Sequence, residues 1–136
     1  MDARPAARPW TLVSLRPRGQ HAGLRRAAAQ HGARLLALSP LQVVACDDAA
    51  ARAARTAADT ADLWLFTSPN AVRAAHALQP LHLHRRQCAL GVGAGTRRAL
   101  ARLGLAADAP ASMDSEGLLG MPALQDVAGR RIALFT

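Results

Sequence analysis

Short apolar runs alternate with alanine-rich stretches of helical spacing along the chain, and the alternation predicts a repeated strand and helix pattern. Residues 10–15 (WTLVSL) read as a first strand, ended by the loop Arg16-Pro17-Arg18-Gly19. Residues 21–31 then place Leu24, Ala27, Ala28 and His31 on one helical face, and Gly32 follows where a left-handed cap belongs. Residues 34–38 are a second strand, broken by Ser39-Pro40, and residues 41–46 (LQVVAC) resume extended character. Asp47 can cap a second helix running to about Thr60, an ordinary surface helix held by small-residue packing.

The sharpest change of character lies in residues 63–72 (LWLFTSPNAV). An apolar strand stops at Thr67, Ser68 can cap a helix, and Pro69 suits the first helical position, where a missing N–H costs nothing. The helix places Ala71, Ala74, Ala75 and Leu78 inward and ends at Gln79-Pro80. In an open α/β sheet such a turn sits at the carboxyl end of a strand, where ligands bind and helix N–H groups can meet an anion. Residues 87–92 (QCALGV) repeat the theme, with Gly93-Ala94-Gly95-Thr96 as the turn, Thr96 as a possible cap, and Ala99, Leu100 and Leu103 inward before Gly104. A dinucleotide fingerprint needs glycines at its first, third and sixth positions. Counting from Gly91 the sixth is Thr96, and counting from Gly93 it is Arg98, so the fingerprint fails. Residues 106–111 suggest a short extended piece, Asp114 or Ser115 can cap a further helix limited by Pro122, and residues 130–136 (RRIALFT) are a last strand. The fold class expected is α/β, a mostly parallel sheet flanked by helices on both faces.

Composition changes this picture in two ways. The chain has 136 residues, 51% hydrophobic, enough for a core, and no apolar run approaches the roughly 20 residues of a membrane helix. Met1 to Trp10 carries Arg4 and Arg8 without a signal-like apolar stretch, so a ragged start and a cytoplasmic, membrane-free protein are expected. The formal charge is +8, and all 17 basic residues are arginine. That favours an anionic partner, but 3% aromatics and no tyrosine leave few platforms for single strands, so nucleic acid is not the expected one. Cys46 and Cys88, far apart in apolar surroundings, read as buried thiols. His82 and His84 alternate on LHLHRR without a third ligand at a recognisable spacing, which predicts a solvated loop and no metal site. Glu116 is the sole glutamate, and neither a Ser-His-Asp pattern nor a phosphate loop with lysine is present. The residues alone thus describe a basic α/β module that holds an anion at helix N-termini.

Four features taken in order make the chain similar to the amino-terminal half of the uroporphyrinogen-III synthase family. They are Ser14-Leu15-Arg16-Pro17; Phe66-Thr67-Ser68-Pro69-Asn70-Ala71-Val72; Gly91-Val92-Gly93-Ala94-Gly95-Thr96 followed by Ala99-Leu100; and Ser115-Glu116-Gly117-Leu118-Leu119. The resemblance implies a partial two-lobed fold, with residues 1–38 starting the first lobe and residues 39–136 forming an incomplete second one. It implies a hydro-lyase of tetrapyrrole and heme biosynthesis that closes hydroxymethylbilane to uroporphyrinogen III, inverting the last pyrrole ring with loss of water. No cofactor is implied, and the full-length enzyme would be a monomer. By motif position the family's substrate contacts fall on Thr67, Ser68, Asn70, Gly93, Thr96 and Ser115, and Arg16 is a further substrate-binding candidate as a carboxylate partner. A catalytic residue stays unassigned, because the tyrosine discussed for the family has no counterpart in a chain without tyrosine. Phe135-Thr136 repeats Phe66-Thr67, which should lead into another turn, so a fragment inactive alone is expected. The alternative is a basic anion-binding module, for nucleotide or nucleic acid, without catalysis.

Overall fold

Parallel strand pairing carries the fold, as the alternating pattern predicts. The computed structural model describes residues 10–112 and 114–136, so the expected ragged start, residues 1–9, lies outside them. The chain divides into two compact units, one ending at Val44 and the other beginning at Ala45.

The first unit is a β-α-β piece: β1 (Thr11–Ser14), α1 (Ala22–Gln30) and β2 (Arg34–Ala37). Thr11 stands opposite Arg34 and Ser14 opposite Ala37. Gly32, at φ +67°, makes the left-handed turn its position predicts, a conformation in which a Cβ would be strained. Leu24 and Ala28 face inward, whereas Ala27 and His31 are exposed against expectation. A two-stranded sheet offers too narrow a surface to cover a wide helical stripe. Residues 41–46 also depart from expectation. They form no strand, and Leu41, Val43 and Val44 are exposed. An apolar run becomes a strand only where a neighbour accepts its ladder bonds, and no described strand pairs with it.

The second unit contains α2 (Ala49–Ala58), β3 (Leu63–Phe66), α3 (Pro69–Leu78), β4 (Cys88–Gly91), α4 (Ala94–Ala101), α5 (Ser115–Leu119), α6 (Pro122–Gln125) and β5 (Ile132–Phe135). Its strands lie in the order β4-β3-β5. Central β3 alternates its side chains between two layers. Trp64 and Phe66 enter a core with Val72 and Ala75 of α3 and Leu100 of α4. Leu63 meets Leu90 and Leu118 of α5, with Met121 and Leu124 against them. Helices thus cover both faces of a parallel sheet. The extended piece expected at residues 106–111 survives as one parallel bridge, Leu90 to Asp108.

Aromatic packing fixes the middle of the first layer. Trp64 is fully buried, with Phe66 edge-on at 6.3 Å and Phe135 edge-on at 5.7 Å; Phe66 and Phe135 stack at 4.3 Å and 7°. Trp64 Nε1 donates to the Ala58 carbonyl at 2.7 Å, and the Arg55 guanidinium lies 5.0 Å from the indole centroid. Arg55 is itself buried, paired with Asp59 at 2.5 Å and donating to the Pro80 carbonyl at 3.1 Å. Helix α2 is therefore no ordinary surface helix: a buried cation and an indole anchor it. Its cap also shifts by one residue. Asp48 accepts the Ala51 N–H at 2.7 Å, while Asp47 pairs with Arg52, and the helix ends at Ala58 rather than near Thr60.

The thiols correct another expectation. Cys46 is exposed and donates to Asp48 Oδ2 at 3.3 Å; Cys88 is half-buried, and both are unbridged. His82 and His84 are exposed in a loop, as expected.

Truncating Trp64 to Ala empties the largest buried side-chain volume and removes the indole donor to the Ala58 carbonyl, which keeps the Ala61 N–H. We expect a loss of about 3–5 kcal/mol in urea unfolding, a large part of the roughly 5–15 kcal/mol that holds an ordinary domain.

The helix caps predict an acid response. The Asp48 carboxyl is held below its usual value of 3.8 by the Ala51 N–H and then by the Cys46 thiol. Asp114 is lowered in the same way by the Gly117 N–H and then the Ser112 hydroxyl. A carboxyl with a lowered folded pKa contributes stability above its unfolded pKa and loses it as pH falls through the folded value. The protection of the Ala51 and Gly117 amides, relative to their intrinsic exchange rates, should therefore fall below about pH 4, and Asp114→Asn should remove that dependence at Gly117 alone.

Candidate functional site

The parallel register of the second unit levels its strand ends. Phe66 stands opposite Gly91 on one side and Phe135 on the other. The Val92 N–H donates to the Phe66 carbonyl at 3.1 Å, and the Thr67 N–H donates to the Phe135 carbonyl at 3.0 Å. The turns after β3 and β4 consequently leave the sheet side by side at its carboxyl edge.

Ser68 accepts the Ala71 N–H at 3.1 Å and so acts as the cap of α3, with Pro69 next as predicted. Its hydroxyl is half-buried. Thr67 is exposed, and its Oγ1 donates to the same Phe135 carbonyl at 3.2 Å. Asn70 is half-buried in the first turn and accepts from the Arg73 guanidinium.

The second turn differs from expectation. Gly93, not Thr96, is the cap residue of α4, and no side chain caps that helix. Thr96 lies within the first turns and is buried, because α4 presses onto the strand it follows. A Cβ on Gly91 would stand 3.0 Å from both Thr96 Cβ and the Arg97 nitrogen, tight enough that α4 would have to give by a few tenths of an ångström. Gly91 thus favours the close approach of α4 to its strand. At the start of α4, a Cβ on Gly95 would lie 3.7 Å from Pro69 Cγ, which places the N-termini of α3 and α4 in contact range. In α3 the first position is a proline without an N–H and the Ala71 N–H is taken by Ser68, so α4 is the helix of the two whose N-terminus has no side-chain cap.

Ser115 opens α5 on the opposite face of the sheet. Its expected alternative, Asp114, is the cap, accepting the Gly117 N–H at 2.7 Å and the Ser112 hydroxyl at 2.8 Å. Ser115 is exposed at the first helical position. The parallel bridge at Asp108 carries the chain in the direction of β4, so residues 109–112 also depart from the carboxyl edge. Arg16 belongs to the first unit, exposed in the loop that follows β1.

The second unit thus gathers Thr67, Ser68, Asn70, Gly93 and the main chain of Thr96, and this set offers hydrogen-bond donors without a carboxylate among them. Such a set of donors suits an anion. A depression of about 570 Å³ beside Leu81, Cys88, Leu103 and Asp108 is lined by none of the seven residues expected to bind substrate. Among the described residues no three His, Cys, Asp or Glu side chains cluster to hold a metal ion, and no helix is long and apolar enough to cross a membrane.

The comparisons with known proteins agree with this architecture. The wild-type uroporphyrinogen III synthase of the extremely thermophilic bacterium Thermus thermophilus is 19% identical, with 92% of this chain and 59% of that one covered at a TM-score of 0.50. A selenomethionine mutant of the same enzyme gives 20% identity, 93% and 61% coverage, and a TM-score of 0.56. At these identities the likeness shows the fold, and the chain spans 59–61% of the length of those enzymes. No curated protein matches the chain. The family model described as HEM4, uroporphyrinogen-III synthase HemD, matches residues 22–136, and with most of its length so matched the chain belongs to the uroporphyrinogen-III synthase HemD family.

Proposed function

We propose that this chain forms part of a uroporphyrinogen-III synthase, cyclising hydroxymethylbilane to uroporphyrinogen III with inversion of the last pyrrole ring and loss of water. The observation that carries the reading is the pair of helix N-termini set side by side at the carboxyl edge, with Pro69 against Gly95. The substrate bears acetate and propionate groups, and the uncapped N-terminus of α4, beside Thr67 and Asn70, is suited to hold one of them. Departure of the substrate hydroxyl, which takes up a proton to leave as water, produces a cationic azafulvene. Ring closure on that cation needs orientation and charge control more than a strong base, which agrees with the hydroxyl, amide and main-chain groups of these turns.

The site residues enter with different parts. Ser68 acts by fixing the first turn of α3, and Gly93 and Thr96 act through main-chain N–H groups. Thr67 and Asn70 offer side chains, Ser115 offers the start of α5, and Arg16 offers the first unit's own carboxylate partner. The lobe assignment, residues 1–38 opening one lobe and residues 39–136 building most of another, belongs to the same proposal, as do a cytoplasmic location and a monomeric whole enzyme. The family match favours this reading over a binding module without chemistry.

A coupled assay that generates hydroxymethylbilane in place tests the proposal. An enzyme that includes these residues and spans the full length of its relatives should give the type III isomer, and formation of only the spontaneous type I isomer would refute it. The 136-residue chain alone should give type I only, and measurable type III product from it would overturn that expectation. In the full-length enzyme Asn70→Ala should raise KM about three- to tenfold with kcat within about twofold, the pattern of about 0.7–1.4 kcal/mol of uniform binding lost.

A further inference from the structure

A buried histidine organises the first unit. His21 is 7% exposed, and both its ring nitrogens are engaged: Nδ1 lies 3.0 Å from Ser14 Oγ and Nε2 lies 2.8 Å from Ser39 Oγ. A neutral imidazole has one donor and one acceptor nitrogen, and a hydroxyl can serve as either partner, so the chain Ser14, His21, Ser39 is satisfied in both tautomers. Its geometry is informative. Ser14 is the last residue of β1 and is buried; Ser39 lies just beyond β2; His21 is the residue before α1. One side chain therefore ties the ends of all three elements of this unit.

The segment spanned by that tie is the loop of residues 16–20. The Arg18 N–H donates to the Leu41 carbonyl at 3.0 Å, and the Gln20 N–H donates to the Pro17 carbonyl at 3.1 Å. Arg18 thus rests on the stretch that Ser39 begins, and the imidazole fixes where that stretch starts. Arg16 and Arg18 are both exposed on the loop. A cation meets a carboxylate productively only if its backbone is held, since ordering a free loop costs about 1–2 kcal/mol per residue.

We infer that His21 is a positioning residue: through Ser14 and Ser39 it locks the loop after β1 so that Arg16 and Arg18 are held in place for a carboxylate of the substrate. The ligand half of this inference rests on the proposed function, whereas the latch stands on the three side chains alone.

The experiment uses the 136-residue chain with three variants. His21→Ala removes both bonds, Ser39→Ala removes one with minimal risk to folding, and His21→Asn keeps an amide near the Nδ1 position and should restore part of the tie to Ser14. In hydrogen exchange the Arg18 amide should exchange at least about tenfold faster in His21→Ala and Ser39→Ala, while the Leu38 amide, bonded to the Ser14 carbonyl, keeps its protection. Equal acceleration at both amides, or none at Arg18, would overturn the latch. Uroporphyrin III, a stable octacarboxylate, serves as the binding probe. His21→Ala and Arg16→Ala should each weaken its Kd about three- to tenfold, and the double variant should be no weaker than the worse single one, because His21 acts through the loop that carries Arg16. Additive losses would overturn the positioning role. Failure of the unsubstituted chain to bind the porphyrin would count against the carboxylate-binding reading itself, and the Arg18 exchange rate decides the latch in either case.

Discussion

Strand β3 is buried on both faces, and most of the second unit follows from that constraint. A four-residue strand with Trp64 and Phe66 on one side and Leu63 on the other can satisfy its backbone only between two neighbours and its side chains only between two helical layers. The parallel register with β4 and β5 then aligns Phe66, Gly91 and Phe135, so the turns that follow β3 and β4 have nowhere to go but the same edge. Site geometry here is a by-product of core geometry. Loops placed by a rigid sheet can hold weak donors in fixed positions, and fixed weak donors are what charge stabilisation requires.

Two chemically different kinds of polar burial support that frame. Arg55 is a charge taken out of water, offset by Asp59, the Pro80 carbonyl and the indole face, and its Nε has no protein partner. Such arrangements specify a position more than they stabilise it. His21 and its two serines are neutral and fully paired, a cheaper way to fix an element. Gln87 works similarly at the amino end of the sheet, its Nε2 donating to the Asp59 and Ala61 carbonyls at 2.7 Å each. Each ties an irregular segment to a strand end, where the backbone ladder stops and carbonyls need new donors.

Much of this was legible in the sequence, for definite reasons. Ser68-Pro69 announces a helix start through rules that are local, and the structure obeys them to the residue. Gly32 announces a left-handed turn for the same reason. The failures share the opposite property. Whether residues 41–46 pair depends on a neighbouring strand, which an apolar run does not encode. The choice between Asp47 and Asp48 depends on the path of the incoming chain, since either side chain could cap. The burial of Arg55 and His21 depends on partners 4 to 25 positions away, in elements whose packing no local pattern reveals. Thr96 looked like a cap because it follows glycines, and it is buried because Gly91 brings α4 close to β4. The turns after β3 and β4 were recognised correctly as strand-to-helix junctions, while the choice between Asp114 and Ser115 as the cap of α5 depends on which side chain reaches the Gly117 N–H.

The stack of Phe135 on Phe66 has a consequence for how the protein is made. Thr67 and Phe135, joined across the β3 and β5 ends, are 68 residues apart in sequence. During synthesis at about 5–20 residues per second, β3 emerges roughly 3–14 seconds before the strand that completes its sheet. For that interval Trp64 and Phe66 lack the ring that closes their layer, and one edge of the central strand is open. The nascent chain therefore carries the Trp64 and Phe66 segment half-covered over that interval, with aromatic surface and an unpaired strand edge open to contact with other chains.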